Sequence, residues 1–513
     1  MKQRFAAVLV ALALIGASFG VARWAASPKR AQIHNRAGAR GKAKLRRAKS
    51  KKSKSKRKRK SRGAKSKSKH KLSAAEATAP IVAGPKLEAV VGDTPNVVLI
   101  IGCTVRADQV TPYGGHREVT PYLARQVEEG VIFEGGISSA PWTKAASAAI
   151  LTGYEPASIG MVEPLDRPSR RVLPAEVDTL AELFSRAGYQ TFGATANPNL
   201  NEVFGFGQGF DAYVEGTDLW RLGGRAKVHG RSLVNKAIPM LAGVRKPEQP
   251  TYLQFLFTDA HSPSTVQRVE IERVRDGSPP KVATYRAMLR RFDMAVALLE
   301  RSLEHQGITR ENTVFIVVSD HGEGLNHPSF NGLGHGNFTY PSAVRMPWLM
   351  WGQGVAEGHR VGGMASQIDI LPTLTDLLGV EGYEGPGRSW AAAVRGETDR
   401  TDRELAFVDS WFQASRRSGV YAEDLHCHDD WKAVVDAQGE RRVPRACYDQ
   451  DDTPLTVSGE RADALLAELD SFRLSMESAF DAYPYTSDAE APDDVKAELE
   501  ALGYVEGQEG VVP

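Results

Sequence analysis

Thr313-Val314-Phe315-Ile316-Val317-Val318-Ser319-Asp320-His321-Gly322-Glu323 is the stretch on which the fold turns. From Thr313 to Val318 every side chain is apolar or β-branched, the pattern of a strand buried on both faces of a mostly parallel sheet. A carboxylate and an imidazole follow at its tip, and Gly322 lets the backbone turn away. Such a pair can hold one divalent cation; taken alone, Asp-His-Gly is equally the start of a loop. Runs of the same kind recur at Asn96–Ile101, Thr251–Phe257 and Trp348–Trp351. Helices are predicted between them: one opened by Thr120-Pro121 and stopped by Gly130, one from Val177 to Ala187, and one from Tyr285 to Glu304. Strands alternating with helices imply an α/β fold, a doubly wound, mostly parallel sheet sandwiched by helices. In such sheets ligands sit beyond the carboxyl ends of the strands. Three of the predicted strands end there in groups with chemical capability: Cys103, Asp259 and Asp320-His321.

The charge is unevenly spread. The segment from Lys29 to Lys71 holds 22 of the 65 Lys and Arg and no acid, whereas from Leu72 onward 40 bases face all 62 acids. The folded body is therefore acidic, and nucleic acid is not expected as its partner. Residues 27–90 have no apolar periodicity and read as a disordered cationic linker. It is either a plain spacer or a tether to an anionic membrane or polysaccharide. Ahead of it, Lys2 and Arg4 precede an apolar run from Phe5 to Ala22. Residues 1–26 read as a signal peptide, with small residues at Gly20-Val21-Ala22 for cleavage, or as a membrane anchor. The expected location is exported, periplasmic or membrane-anchored, with the body outside the cytoplasm. A dense Lys/Arg block just after the apolar run runs against the positive-inside rule, so orientation stays open.

Cys427 and Cys447 flank a segment that reads as a β-hairpin: Trp431–Val435, a turn at Asp436–Glu440, and a second run to Tyr448. Their midpoint, Ala437, falls in the turn. The two thiols would then face each other and form a disulfide suited to an oxidising compartment; the alternative is two unrelated cysteines. Cys103 is the odd one out.

Further motifs follow in order. Asp259-Ala260-His261-Ser262-Pro263 succeeds one strand, and Gly334-His335-Gly336 places a second imidazole on a Gly-flanked loop. Trp142-Thr143-Lys144-Ala145-Ala146-Ser147 through Gly153, Phe206-Gly207-Gln208-Gly209-Phe210-Asp211, and Gln367-Ile368-Asp369-Ile370-Leu371-Pro372-Thr373-Leu374 complete the series. This order resembles the sulfatase family of alkaline-phosphatase-like hydrolases, from Pro95 to about Tyr448 and more loosely to Tyr504. The resemblance implies a catalytic domain over residues 91–400 and a smaller C-terminal α+β subdomain, with hairpin and terminal helices, over 401–513. It implies one divalent metal ion held by Asp320 and His321, with Thr143 as nucleophile and His261 and His335 as catalytic groups around an anionic ester. Asp259 and Lys144 are expected to bind substrate.

Two departures bear on activity. Cys103 stands where the family carries a metal aspartate. A thiolate suits Zn²⁺ better than Ca²⁺ or Mg²⁺, so the set Cys103, Asp320, His321 favours zinc; alternatively Cys103 is a small buried hydrophobe and metal binding is lost. At the nucleophile segment, the Cys/Ser-x-Pro-x-Arg pattern that matures to formylglycine is replaced by Thr143-Lys144-Ala145-Ala146-Ser147, so no formylglycine is expected. Thr at this position resembles phosphoryl-transferring relatives. Two functions remain: a metal-dependent hydrolase or transferase of sulfate or phosphate esters on glycans or lipids of the cell envelope, or a catalytically degraded member that binds such glycans or lipids without turnover.

Overall fold

The computed structural model describes residues 86–504 except 88, 90–91, 164–170, 220–226, 326–333, 413–414, 430–433, 436–440, 443, 451–452, 456–458 and 484–487. The expected leader and nearly all of the basic linker lie outside the described residues. Among the described residues no helix is long and apolar enough to cross a membrane.

Eight strands build the main sheet: β1 (Asn96–Gly102), β2 (Gly130–Ile137), β3 (Gln190–Thr195), β4 (Ala212–Glu215), β5 (Thr251–Phe257), β6 (Thr313–Ser319), β7 (Trp348–Gly352) and β8 (His359–Ser366). Their spatial order is β4-β3-β5-β1-β6-β7-β2-β8. Only β7 runs against its neighbours. The all-apolar reading of β1 has a simple cause. Val97, Leu99 and Ile101 enter the core on one face of the sheet, and Val98 and Ile100 enter the core on the other. A strand with two dry faces cannot alternate with polar residues. One core is covered by the helices Gly230–Val244 and Pro280–Glu304, the other by Thr143–Thr152, Leu180–Arg186 and Ile370–Leu377.

The predicted helix boundaries shift where local capping wins. The second helix begins at Leu180 rather than Val177, because Thr179 and Glu182 form a reciprocal capping box. The long helix begins at Pro280, five residues before Tyr285, with proline in its first turn. Gly130 does stop a helix, Pro121–Glu128, but its larger role is to open β2, where a Cβ would collide with the Met350 carbonyl. β2, β3, β4 and β8 were not anticipated. β2 and β8 are Gly-bearing and partly exposed, so their apolar runs are broken.

A separate antiparallel sheet follows, with strands β9 (Ala406–Phe412), β10 (Ser415–Tyr421), β11 (Leu425–Asp429) and β14 (Arg445–Asp449) in the order β14-β11-β10-β9; the short strands β12 (Val434–Val435) and β13 (Arg441–Arg442) lie between β11 and β14 in the chain. The helix Glu460–Ala482 packs Ala462, Leu465 and Leu469 against it. Cys427 lies directly opposite Cys447 in the β11–β14 register, and the two are disulfide-bonded. The cysteines thus sit on strands that flank the anticipated hairpin. Within it Val434–Val435 pairs with Arg441–Arg442; Trp431 to Ala433 and the turn lie outside the described residues.

Candidate active site and metal centre

Parallel pairing brings the site together. In register, Gly102 of β1 stands beside Phe257 of β5 and Ser319 of β6. The residues that follow these three therefore emerge at one edge of the sheet. Cys103 is tied there by its amide to the Phe257 carbonyl (2.8 Å). Thr104 takes a left-handed φ of 62°, an uncommon state for a β-branched residue. It is held by three bonds: its amide donates to Asp320 Oδ1 (2.9 Å), its hydroxyl to the Cys103 carbonyl (2.7 Å), and its own carbonyl accepts from Tyr285 (2.6 Å).

Cys103, Asp320 and His321 are fully buried, and their ligand atoms lie within 4.8 Å of one another. Asp320 Oδ1 also accepts from the His321 amide (2.6 Å), whereas Oδ2 is buried without a hydrogen-bond partner. His321 Nδ1 donates to the Gly322 carbonyl (2.8 Å), which leaves the lone pair on Nε2. That lone pair lies 3.5 Å from Asp320 Oδ2. Burial, against the partial help of Asp320, lowers the imidazole to about 4, so no proton is available to join the two acceptors near neutrality. Two buried acceptors facing each other call for a cation. Cys103 completes an S, N, O donor set of the kind zinc accepts. Its thiol is pushed well up by burial and by the Asp320 charge, so it is neutral until a cation displaces its proton. The residues present thus make a possible metal site.

Thr143 is the first residue of the helix Thr143–Thr152, so its hydroxyl sits at the positive end of a helix dipole. Its Oγ1 lies 3.3 Å from His321 Nε2 and 3.5 Å from Cys103 Sγ. His261 and His335 line the same space, with ring centroids 5.1 Å apart, and His335 stands 4.5 Å from His321. His261 Nδ1 donates to the Ser262 carbonyl, so its Nε2 is an acceptor. Burial and the neighbouring His335 lower His261 to about 3, and it is neutral. His335 Nδ1 is 3.6 Å from Glu323 Oε2. Burial opposes the Glu323 charge, yet the adjacent His335, with His261 and the Gly334 amide, holds the carboxyl at about 2.

Two expected substrate groups point elsewhere. The Asp259 carboxylate accepts from the Gly230 amide (2.8 Å) and lies 3.4 Å from His229, anchoring a helix start instead of facing the cluster. Lys144 projects from the next helical position after Thr143, about 100° round the axis. Its ammonium sits over the Phe204 ring (3.4 Å) and reaches the Arg171 carbonyl. Burial lowers it to about 7. Four neighbours escaped the sequence reading. Glu323 was in the quoted stretch without a role. Asn197, whose amide reaches Cys103 Sγ (3.5 Å), follows the unrecognised β3, and the strand-end rule would have found it. Lys227 braces the site by donating to the Asp259 (2.9 Å) and His261 carbonyls, from a loop without local signal. Tyr504 meets Thr143 from 361 residues away, a separation no local pattern reports.

Known proteins of similar sequence and fold point to one family. A family model described as Sulfatase matches residues 95–380. Among curated proteins, the uncharacterized sulfatase YdeN of Escherichia coli K12 is 24% identical over 303 residues, 51% of this chain and 54% of that one. The Δ4,5-hexuronate-2-O-sulfatase of Bacteroides thetaiotaomicron is 24% identical over 372 residues, 61% of this chain and 74% of that one. The chain thus spans about half the length of the first relative and about three quarters of the second. Among solved structures, the phosphonate monoester hydrolase of Agrobacterium radiobacter superposes with a TM-score of 0.58 at 18% identity, covering 75% of this chain and 96% of that one; at that identity the likeness speaks for the fold. With the matched segment running from β1 past the Asp369 segment, and so enclosing Cys103, Thr143, His261, Asp320, His321 and His335, the chain belongs to the sulfatase family.

Proposed function

We propose that this chain is a metal-dependent ester hydrolase or transferase that acts on anionic sulfate or phosphate esters outside the cytoplasm, with Thr143 as nucleophile. The observation that carries the reading is the Thr143 hydroxyl at a helix N-terminus, 3.3 Å from His321 Nε2 and beside the Cys103, Asp320, His321 donor set. Cys103, Asp320 and His321 would hold the ion, with zinc favoured over calcium or magnesium. Such an ion supplies positive charge that lowers the hydroxyl's proton affinity and balances the anionic group.

The residues divide the remaining work. Thr143 Oγ attacks sulfur or phosphorus as the bond to the leaving oxygen breaks. His261 Nε2, an acceptor, takes up a proton from the attacking side. His335, backed by the Glu323 carboxylate, delivers one to the leaving oxygen. The first helical amides point at the transferred group. Water, or an alcohol in a transferase, then displaces the group from Thr143, whose oxygen regains its proton. A sulfated threonine lacks the second hydroxyl through which a formylglycine hydrate expels sulfate. Phosphate-type esters are therefore the easier substrates. The hexuronate sulfatase among the relatives makes glycan esters the first natural class to test. The Cys427–Cys447 disulfide supports an oxidising compartment, and the cationic segment 27–90 would hold the body near an anionic surface.

The test is turnover of bis(p-nitrophenyl) phosphate, p-nitrophenyl phosphate and p-nitrophenyl sulfate by the purified full chain with added Zn²⁺, Mn²⁺, Mg²⁺ or Ca²⁺. Thr143→Ala should lower it by roughly 10³-fold or more. Absence of metal and turnover in the native chain, with both appearing only in Cys103→Asp, would replace this reading by the non-catalytic binder.

A further inference from the structure

The C-terminal end of the described chain enters the site just built. The helix Asp493–Leu502 buries Val495, Leu499 and Leu502 in the core beneath the sheet. Gly503 then takes a left-handed φ of 87°, and the Tyr504 amide returns to the Leu499 carbonyl (2.9 Å). This tight reversal aims the Tyr504 side chain inward, where the residue is only 3% exposed. Its phenol oxygen lies 3.0 Å from Thr143 Oγ1 and 2.9 Å from His261 Nε2. Its ring packs at 5.5 Å from His261 and 6.2 Å from His335.

The proton positions follow from the His261 tautomer. Nδ1 donates to Ser262, so the phenol must donate to Nε2. The phenol oxygen is then left to act as an acceptor toward the Thr143 hydroxyl, whose single proton lies between it (3.0 Å) and His321 Nε2 (3.3 Å). One side chain thus engages the acceptor lone pair of His261 and crowds the nucleophile. The volume is engaged too. A sulfur or phosphorus atom under attack must come within roughly 3–3.5 Å of Thr143 Oγ, and the phenol oxygen stands at that distance.

We propose that the segment Asp493–Tyr504 is an intramolecular plug, with Tyr504 seated where the tetrahedral group of an anionic ester must bind, and that it withdraws for substrate to enter. The proposal rests on the reading of Thr143 and His261 as the substrate site.

The plug is held by a helix that carries a built-in weakness. Glu498 is buried, with neither carboxylate oxygen hydrogen-bonded. Among the described residues Glu215 at the end of β4 and Asp494 on its own helix are the charges that act on it, and Glu202 adds to the negative charge around Glu215. Lys236, the cation that acts on Glu215 among the described residues, is bonded to the Glu215 carbonyl and to Asp218. Burial, with Glu215 and Asp494, raises Glu498 to about 7 against only partial help from Thr217. A raised carboxyl makes docking tightest below its ordinary value near 4.3, progressively weaker as pH rises toward 7, and level above that. An open fraction that grows with pH raises the apparent affinity for any ligand of the open site in proportion.

The test uses inorganic phosphate as the probe, measured by calorimetry on the full chain, with hydrogen exchange of residues 493–504 read in parallel. Tyr504→Ala, and a chain ending at Gly503, should bind phosphate about 10-fold tighter or better than the native chain. Glu498→Gln should act in the opposite sense: at pH 8 it should protect residues 493–502 more and bind phosphate several-fold more weakly. That direction cannot arise from misfolding. Phosphate binding needs no turnover. Tighter binding by Tyr504→Ala without ester hydrolysis in either protein would keep the plug and remove the hydrolase reading. Equal or weaker phosphate binding by Tyr504→Ala, or a Glu498→Gln chain indistinguishable from native at pH 8, would overturn the plug.

Discussion

Buried carboxylates in two regions, the small sheet and the carboxyl edge of the main sheet, have opposite surroundings. In the small sheet each is met by cations and donors. Asp429 receives Arg473 (2.6 Å), Arg445 (3.2 Å) and the Ser418 amide (3.0 Å). Asp409 receives Arg416, the Ser418 hydroxyl and the Trp411 indole, each at 2.8 Å. At the carboxyl edge of the main sheet Asp320 has one oxygen saturated by amides and the other facing an imidazole lone pair. The first arrangement is closed and has no vacancy for another cation. The second is electrically incomplete, and incompleteness in a dry site marks function rather than architecture. Asp369 shows that motif position alone does not separate the two. It belongs to the Asp-x-x-Pro-Thr segment, yet Trp390, Arg403 and the Arg388 amide satisfy it fully, and it behaves like the small-sheet pair.

The contrast can be broken most decisively at Asp320. Asp320→Asn should lower bound zinc, assayed by mass spectrometry, and phosphodiester turnover by about 10²-fold or more. It should leave the melting temperature of the metal-free chain unchanged or higher, because a buried unpaired charge is removed. A clear loss of metal-free stability would place Asp320 with the structural carboxylates.

Asp429→Ala should do the reverse. It strands two arginines, each about a quarter exposed, and should cost about 3 kcal/mol in denaturant melts while zinc content stays at the native level. Loss of zinc in this variant would show that the two regions are not independent.

Cys427→Ser should cost about 3 kcal/mol by opening a loop of sequence separation 20, again with the metal retained. The smallest effect concerns pH. Burial raises Asp293 and Glu498 to about 7 and Glu155 to about 8. Raised carboxyls stabilise the fold fully below their ordinary values and lose that contribution as pH climbs through the raised ones. The metal-free melting temperature should therefore fall between pH 5 and pH 8, with Asp293→Asn recovering about 3 °C of the loss. A melting temperature that rises over this interval would contradict the burial assigned to these groups.

Much of this protein was legible along the chain. The unbroken apolar runs of β1, β5 and β6 declare strands dry on both faces, and the polar residues directly after them mark the productive edge of the sheet. Cys103, His261, Asp320, His321 and His335 drew attention because each follows a strand or sits in a glycine-framed turn, whereas Thr143 was singled out only through the family resemblance; the structure brings all six to one space, and their roles are those proposed above. The roles of Asp259 and Lys144 could not be read from position. A residue at a strand end or beside a nucleophile can face either way, and the choice is made by a neighbouring helix start at Gly230 and by the Phe204 ring. Strands β2, β3, β4 and β8 stayed hidden because edge and Gly-bearing strands lack a continuous apolar signal. The tertiary structure alone decided which carboxylates are paired, since the partners range from neighbours across a strand pair, 2 to 9 residues from Asp409, to residues 44 positions from Asp429 and 216 from Asp320. It alone placed Tyr504 against Thr143, because a contact across 361 residues leaves no periodicity in the chain and exists only once the sheet and its covering helices have packed.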